Sequence, residues 1–169
     1  MANGVNAIIS KRGGKGMSHF LASQLHNENT FYKAFVKDLN SAQKEVIIES
    51  PYLTRGRANK LIPIFNKLLD RGVKIFIVTR DPSEHDENMA YQAEEVIAYF
   101  ESTEIQVLLC DGGHHRKLAM IDRKILWEGS LNILSQTHSR EFMRRIDSKE
   151  LTEEMFEFLN FNQVKFFKT

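Results

Sequence analysis

His115, Lys117 and Asp122 stand in the pattern His-x-Lys-x4-Asp, within the stretch HHRKLAMIDRKILWEGSLN. Gly129, Ser130 and Asn132 follow at a fixed step. An imidazole, an ammonium, a hydroxyl and a carboxamide brought to one spot suit a phosphate ester. The imidazole can attack phosphorus and form a covalent intermediate. The ammonium, hydroxyl and carboxamide can hold the charged oxygens as charge shifts in the transition state. Neither step calls for a metal ion or a cofactor.

Chance supplies a bare His-x-Lys-x4-Asp readily, so the elements that would position these groups decide its worth. Residues 115–121 and 124–129 read as short strands, rich in β-branched and aromatic side chains. Asp122-Arg123 reads as the turn between them. A hairpin centred near Arg123 pairs residue 117 with 129 and brings 115 opposite 131. That register returns Ser130 and Asn132 to His115. His115 and Lys117 share a parity and project from one face, while His114 falls on the opposite one, as a structural or rim residue. The competing reading is a surface hairpin with incidental polar residues.

Around the hairpin, apolar periodicity sets out an α/β domain. Phe31, Phe35, Val36 and Leu39 recur at helical spacing. The order then runs β-α-β-α-β-β-β-β-α, from the strand at Val46–Ile48 to a final helix over Leu151–Leu159, giving a mixed sheet with helices on both faces. Residues 1–28 read as a flexible N-terminal segment and 29–169 as one domain. Gly13-Gly14-Lys15-Gly16 lacks the Gly-x4-Gly-Lys-Ser/Thr form of a P-loop.

Composition bounds the function. The chain has 169 residues, 42% hydrophobic and 27% charged, which suits one globular core. No apolar run approaches the roughly 20 residues that span a membrane. No long apolar leader core is visible at the N-terminus. A single cysteine, Cys110, excludes an internal disulfide framework and reads as a buried free thiol. A cytoplasmic location is expected. A net charge of +1 argues against a generic polyanion binder, so local clusters matter more. Arg55 and Arg57, then Arg116, then Arg140, fall near strand ends or the hairpin. They suit a basic rim for a nucleic acid, although each cluster taken alone also reads as a solvated face. Gly113, with Gly112, permits close backbone approach beside the motif. His85 with Asp81 and Asp86 reads more readily as a mobile surface loop than as a metal site. A metal at Asp111, His114 and His115 is opposed by Lys117, whose ammonium would repel it.

His115, Lys117, Asp122, Gly129, Ser130 and Asn132 resemble the HKD motif of the phospholipase D superfamily, and Glu49-Ser-Pro-Tyr-Leu-Thr54 is similar to the first core strand of those proteins. The resemblance runs from about Phe31 to the C-terminus. It implies that His115 of one subunit is the nucleophile, and that His115 of a second subunit protonates the leaving oxygen and then activates water. It implies that Lys117 and Asn132 bind the non-bridging oxygens, that Ser130 donates a further hydrogen bond, and that Glu141 orients the histidine. Asp122 is expected to brace the motif from its turn. Phospholipase D enzymes resemble two fused HKD halves, whereas only one copy occurs here, so a homodimer is expected. Phe161–Phe167 would serve as interface or as core packing.

The expected function is a metal-independent phosphodiesterase acting on DNA or RNA, alone or beside a helicase or other DNA-processing partner. No membrane partner is expected. A lipid phosphodiesterase and a catalytically silent nucleic-acid-binding module are the alternatives.

Overall fold

Each apolar run identified in the sequence buries its face against one sheet. The computed structural model describes residues 22–164. Its strands are β1 (Ala22–Asn27), β2 (Glu45–Glu49), β3 (Lys74–Arg80), β4 (Gln106–Cys110), β5 (Leu118–Ile121), β6 (Ile125–Gly129) and β7 (Phe142–Asp147). Its α-helices are α1 (Phe31–Ser41), α2 (Arg55–Leu69), α3 (Glu87–Ser102) and α4 (Lys149–Phe158). The strands form one seven-stranded sheet in the order β1-β7-β6-β5-β2-β3-β4. β2, β3 and β4 are parallel, joined by α2 and α3, and the remaining neighbours are antiparallel.

Alternation along the strands divides the core in two. Val46, Ile48, Ile75, Ile77, Ala119 and Trp127 face one side, where Phe35 of α1, Phe65 of α2 and Phe100 of α3 cover them. Ile47, Phe76, Met120, Leu126 and Ile146 face the other, against Phe156 of α4 and Phe161 beyond it. The expected mixed sheet with helices on both faces is therefore present. Phe161, read as interface or core, packs into this core; residues 165–169 lie outside the described residues. Cys110 is a half-buried free thiol at the end of β4.

One element departs from the sequence reading. Ala22–Asn27, inside the segment expected to be flexible, is strand β1, paired antiparallel along β7. Its sequence, ASQLHN, has no apolar face, and Leu25 is 67% exposed. Backbone pairing at the sheet edge forms it, and that leaves no hydrophobic signature. Residues 1–21 lie outside the described residues. No helix among the described residues is long and apolar enough to cross a membrane.

A buried polar group joins α1 to the sheet. The Trp127 indole N–H donates to Asp38 at 2.9 Å, and Arg145 donates to the same carboxylate at 2.7 and 3.0 Å. Phe31 and Phe35 meet the Trp127 ring edge-on, at 5.2 and 6.0 Å between centroids. Removing Asp38 would leave the indole N–H unpaired and the guanidinium with Asp147 alone, at 3.5 Å. Asp38→Ala is expected to cost about 3–5 kcal/mol, the range for breaking one partner of a buried pair, read from the urea midpoint. A loss below about 1 kcal/mol would show that the pair is solvated.

Candidate active site

The β5–β6 hairpin carries the motif in the register expected from the sequence. Leu118 pairs with Glu128 and Ile121 with Ile125. The Gly129 N–H donates to the Lys117 carbonyl at 3.3 Å, extending the ladder toward the motif. His115, Arg116 and Lys117 themselves precede the strand, which begins at Leu118 and not at 115. Asp122 and Arg123 both have positive φ, +52° and +49°, the backbone of a two-residue primed turn whose twist matches the strands. The Asp122 carboxylate accepts backbone N–H groups from Gln43 (2.9 Å), Lys44 (2.8 Å) and Glu45 (3.0 Å). It thus ties the turn to the start of β2, at the opposite end of the hairpin from His115.

His115 lies where the loop from β4 reaches β5, over the carboxyl ends of the parallel strands, because Glu49 at the end of β2 pairs with Leu118. Ligands of α/β sheets bind at this end, where the strand order switches. The Lys117 Nζ sits 2.9 Å from His115 Nδ1 and donates to the His115 carbonyl at 2.7 Å. Burial pulls the Lys117 pKa below the ordinary lysine value, and the Glu141 charge opposes that shift. Tyr52 presents its ring edge-on to His115, 6.3 Å between centroids.

The second half of the motif returns beside the first. The Ser130 hydroxyl donates to Glu141, and the Phe142 N–H donates to Ser130 Oγ at 3.2 Å. Asn132 has a buried side-chain oxygen without a partner among the described residues. Gly129 is forced by geometry: a Cβ there would meet the Phe142 carbonyl oxygen at 2.2 Å. The Ser50–Thr54 segment is bound to this loop, since Leu134 N–H donates to Ser50 Oγ at 3.1 Å and Thr54 N–H to the Leu134 carbonyl at 3.0 Å.

The supporting contacts differ from those expected. Glu141 engages Ser130, while the His115 ring contacts Lys117 and Tyr52. The basic residues expected on the rim have partners of their own. Arg57 turns inward, stacked 3.7 Å from the Tyr32 ring and donating to the Gln136 carbonyl. Arg55 pairs with Glu95 at an exposed site, and Arg116 pairs with Glu49. Arg140 is exposed beside Glu28, whose carboxyl it helps to hold below the usual range, behind the larger effect of backbone N–H donors. Gly113 has φ +74°, and its N–H donates to Glu84 at 3.1 Å.

Three contributors escaped the sequence reading. The Asp81–Glu87 segment, read as a mobile loop, is built into the site. Glu84 accepts from the Gly112 and Gly113 N–H groups and from Arg80, and His85 stacks at 4.9 Å on Tyr52. Glu49, a fully buried carboxylate, lies under the motif between His114 and Arg116. A lone acid closing the apolar run VIIE was the signal available for it. Burial, then the neighbouring cations, holds His114 below the ordinary histidine pKa. No group of three or more His, Cys, Asp or Glu among the described residues is arranged to hold a metal ion. A cleft of about 1370 Å³ lies at the Asp122–Arg123 end of the sheet and includes neither His115 nor Lys117.

Residues 35–161 match the family model described as cardiolipin synthase, PLD-like domain. Among solved structures, the chain is similar to Nuc, a phospholipase D family member from Salmonella typhimurium, at 17% identity and TM-score 0.68, covering 82% of this chain and 91% of that one. NucT from Helicobacter pylori follows at 16% identity and TM-score 0.64, covering 82% and 92%. Phosphatidylserine synthase from Haemophilus influenzae Rd KW20 matches at 17% identity and TM-score 0.67, with 89% of this chain covering 40% of that one. No curated protein matches significantly by sequence. At these identities the structural likeness speaks to the fold.

Gly129→Ala tests how tightly the two halves of the site are joined. The added methyl must push β7 away, at a cost of about 1–3 kcal/mol by analogy with overpacked cores. A lower thermal midpoint and a weakened Ser130–Glu141 contact, seen in a crystal structure of the variant, are expected. An unshifted midpoint would contradict the close approach.

Proposed function

The chain belongs to the phospholipase D superfamily, and on that premise we propose that it is a phosphodiesterase that cleaves DNA or RNA without a metal, as a homodimer. The observation that carries this reading is the contact between Lys117 Nζ and His115 Nδ1, 2.9 Å, with Ser130 and Asn132 returned beside them by the hairpin. An ammonium so close to the imidazole supplies the positive charge that a phosphate needs, and it would repel a divalent cation at the same place.

In the proposed reaction a ring nitrogen of His115 attacks phosphorus as the bond to the leaving oxygen breaks. His115 of the second copy gives that oxygen its proton. It then takes a proton from water, which attacks the phosphohistidine and frees the nucleophile. Lys117, Asn132 and Ser130 hold the non-bridging oxygens, with Glu141 fixing the Ser130 hydroxyl and Asp122 bracing the hairpin from its far end. The single motif requires the second copy. The sheet face beside Ser130 and Glu141 supports such a contact, because Phe142 and Leu25 project from it 55% and 67% exposed.

Nucleic acid is favoured as substrate by the extent of the fold. The chain covers over nine-tenths of Nuc and NucT but 40% of the phosphatidylserine synthase. The second reading, a lipid phosphodiester, draws on the family model's cardiolipin synthase description. Purified protein incubated in EDTA with single- and double-stranded DNA, RNA and phosphatidylcholine vesicles separates the two. Cleavage of nucleic acid that persists in EDTA is expected, and His115→Ala is expected to reduce it by at least about 10⁴-fold while leaving the dimer intact. Hydrolysis of the vesicles alone would transfer the assignment to lipid. Turnover of neither would leave a binding module.

A pH profile follows from Lys117. The group works as a cation, so it is competent below its pKa and fails above it. Because burial lowers that pKa from 10.5, the alkaline loss of activity is expected to set in below the ordinary lysine range. An alkaline limb at or above 10.5 would contradict a role for this ammonium.

A further inference from the structure

Glu49 raises a question that the proposed reaction leaves open. It is the last residue of β2, in the middle of the sheet between β3 and β5, and its side chain is wholly buried. A carboxylate in such a place is costly unless it is paired. Replacing a buried ion pair by apolar residues often leaves a fold as stable or more so, so the stability of the sheet does not account for an acid here.

The neighbours of Glu49 supply a reason. Its Oε1 accepts from Arg116 Nε at 2.8 Å and lies 2.8 Å from Arg116 Nη2. The same oxygen is 3.1 Å from His114 Nε2, close but not aligned for a hydrogen bond. One buried carboxylate thus holds Arg116 by hydrogen bonds and touches His114, the residues on either side of His115. Side chains 114 and 116 both reach Glu49, while those of 115 and 117 meet each other. No carboxylate is bonded to the His115 ring itself among the described residues, because Glu141 takes Ser130. The ring meets Lys117 and Tyr52, and its backbone sets where it stands. That backbone is pinned by Glu49 and, just upstream, by Glu84 on Gly112 and Gly113.

We propose that Glu49 is a positioning residue for the His115 nucleophile: its buried carboxylate grips Arg116, packs against His114, and fixes the height and direction of His115 above the sheet. The inference rests on the assignment of His115 as nucleophile. It also gives Arg116 a duty other than binding substrate.

Glu49→Gln keeps the shape and removes the charge. Two readouts separate positioning from general damage. The first is steady-state cleavage of the preferred phosphodiester. kcat is expected to fall about 10²-fold, the scale of a misplacement near 1 Å, with KM within about threefold, because the oxygen-binding groups are untouched. The second is the side-chain ¹⁵N NMR spectrum of His115, assigned by its loss in His115→Ala and recorded without substrate. One fixed ring environment in the parent protein is expected to give way to exchange broadening in the variant. An unchanged kcat, or an unchanged His115 spectrum in folded Glu49→Gln, would overturn the proposal. So would a rise in KM that accounts for the whole loss.

If Glu49→Gln does not fold, Arg116→Gln serves, since the Arg116 side chain is 48% exposed. Positioning lowers kcat there, whereas a direct substrate contact raises KM and overturns the proposal. Should the parent protein cleave no phosphodiester, the functional reading fails, and the NMR comparison still decides whether Glu49 sets His115.

Discussion

Three backbone N–H groups, of Gln43, Lys44 and Glu45, converge on the Asp122 carboxylate, and the placement of the site follows from that anchor. It fixes the β5–β6 turn against the start of β2. In a hairpin, one residue of slip would send every side chain to the other face, exchanging His115 for His114 and Lys117 for Arg116. The turn that sets the register uses two non-glycine residues at positive φ, a conformation that costs roughly 1–2 kcal/mol per residue. Aspartate tolerates it and uses its side chain for the anchor. Arg123 makes up for it through Glu45 at 2.6 Å and the face of Phe156 at 3.8 Å. The third residue of the motif thus lies at the end of the hairpin away from phosphate chemistry, yet it determines where that chemistry happens.

The molecule divides its charged groups in the same way. Buried or half-buried acids hold arginines to the frame: Asp38 holds Arg145, Glu45 holds Arg123, and Glu49 holds Arg116. The cation left beside the imidazole is Lys117, a compact ammonium on a flexible stem, partly desolvated where it meets His115. Desolvation strengthens its field on a bound phosphate and at the same time lowers its pKa. The basic rim expected from sequence is correspondingly thinner, with Arg57 committed to Tyr32 and the Gln136 carbonyl.

What was legible in the sequence follows from the range of the interactions involved. The hairpin register is a local property of strand period and turn residues, and 118 opposite 128 came out as read. The helices declare themselves by apolar periodicity, and the two-faced sheet follows from their order. β1 was invisible because an edge strand with exposed side chains needs backbone pairing alone. Glu49 falls in a segment that resembles a strand, but nothing local shows that it lies against residues 65 and 67 positions later in the chain. A separation of 28 and 29 residues hid the grip of Glu84 on Gly112 and Gly113, and it made the Asp81–Glu87 loop read as mobile. Glu141 was placed near the site by resemblance, while its hydrogen bond to Ser130 depends on how the loop after β6 closes.

The proposed reaction turns on a covalent bond between His115 and phosphorus. The most direct measurement is a rapid quench of the protein with a phosphodiester carrying label on the retained phosphoryl side, denatured in alkali, where phosphohistidine survives, and mapped by peptide mass spectrometry. Label confined to the peptide bearing His115, rising within one turnover and then decaying, is the result the account requires. Product formation with no labelled protein at any time, or label on another residue, would contradict it.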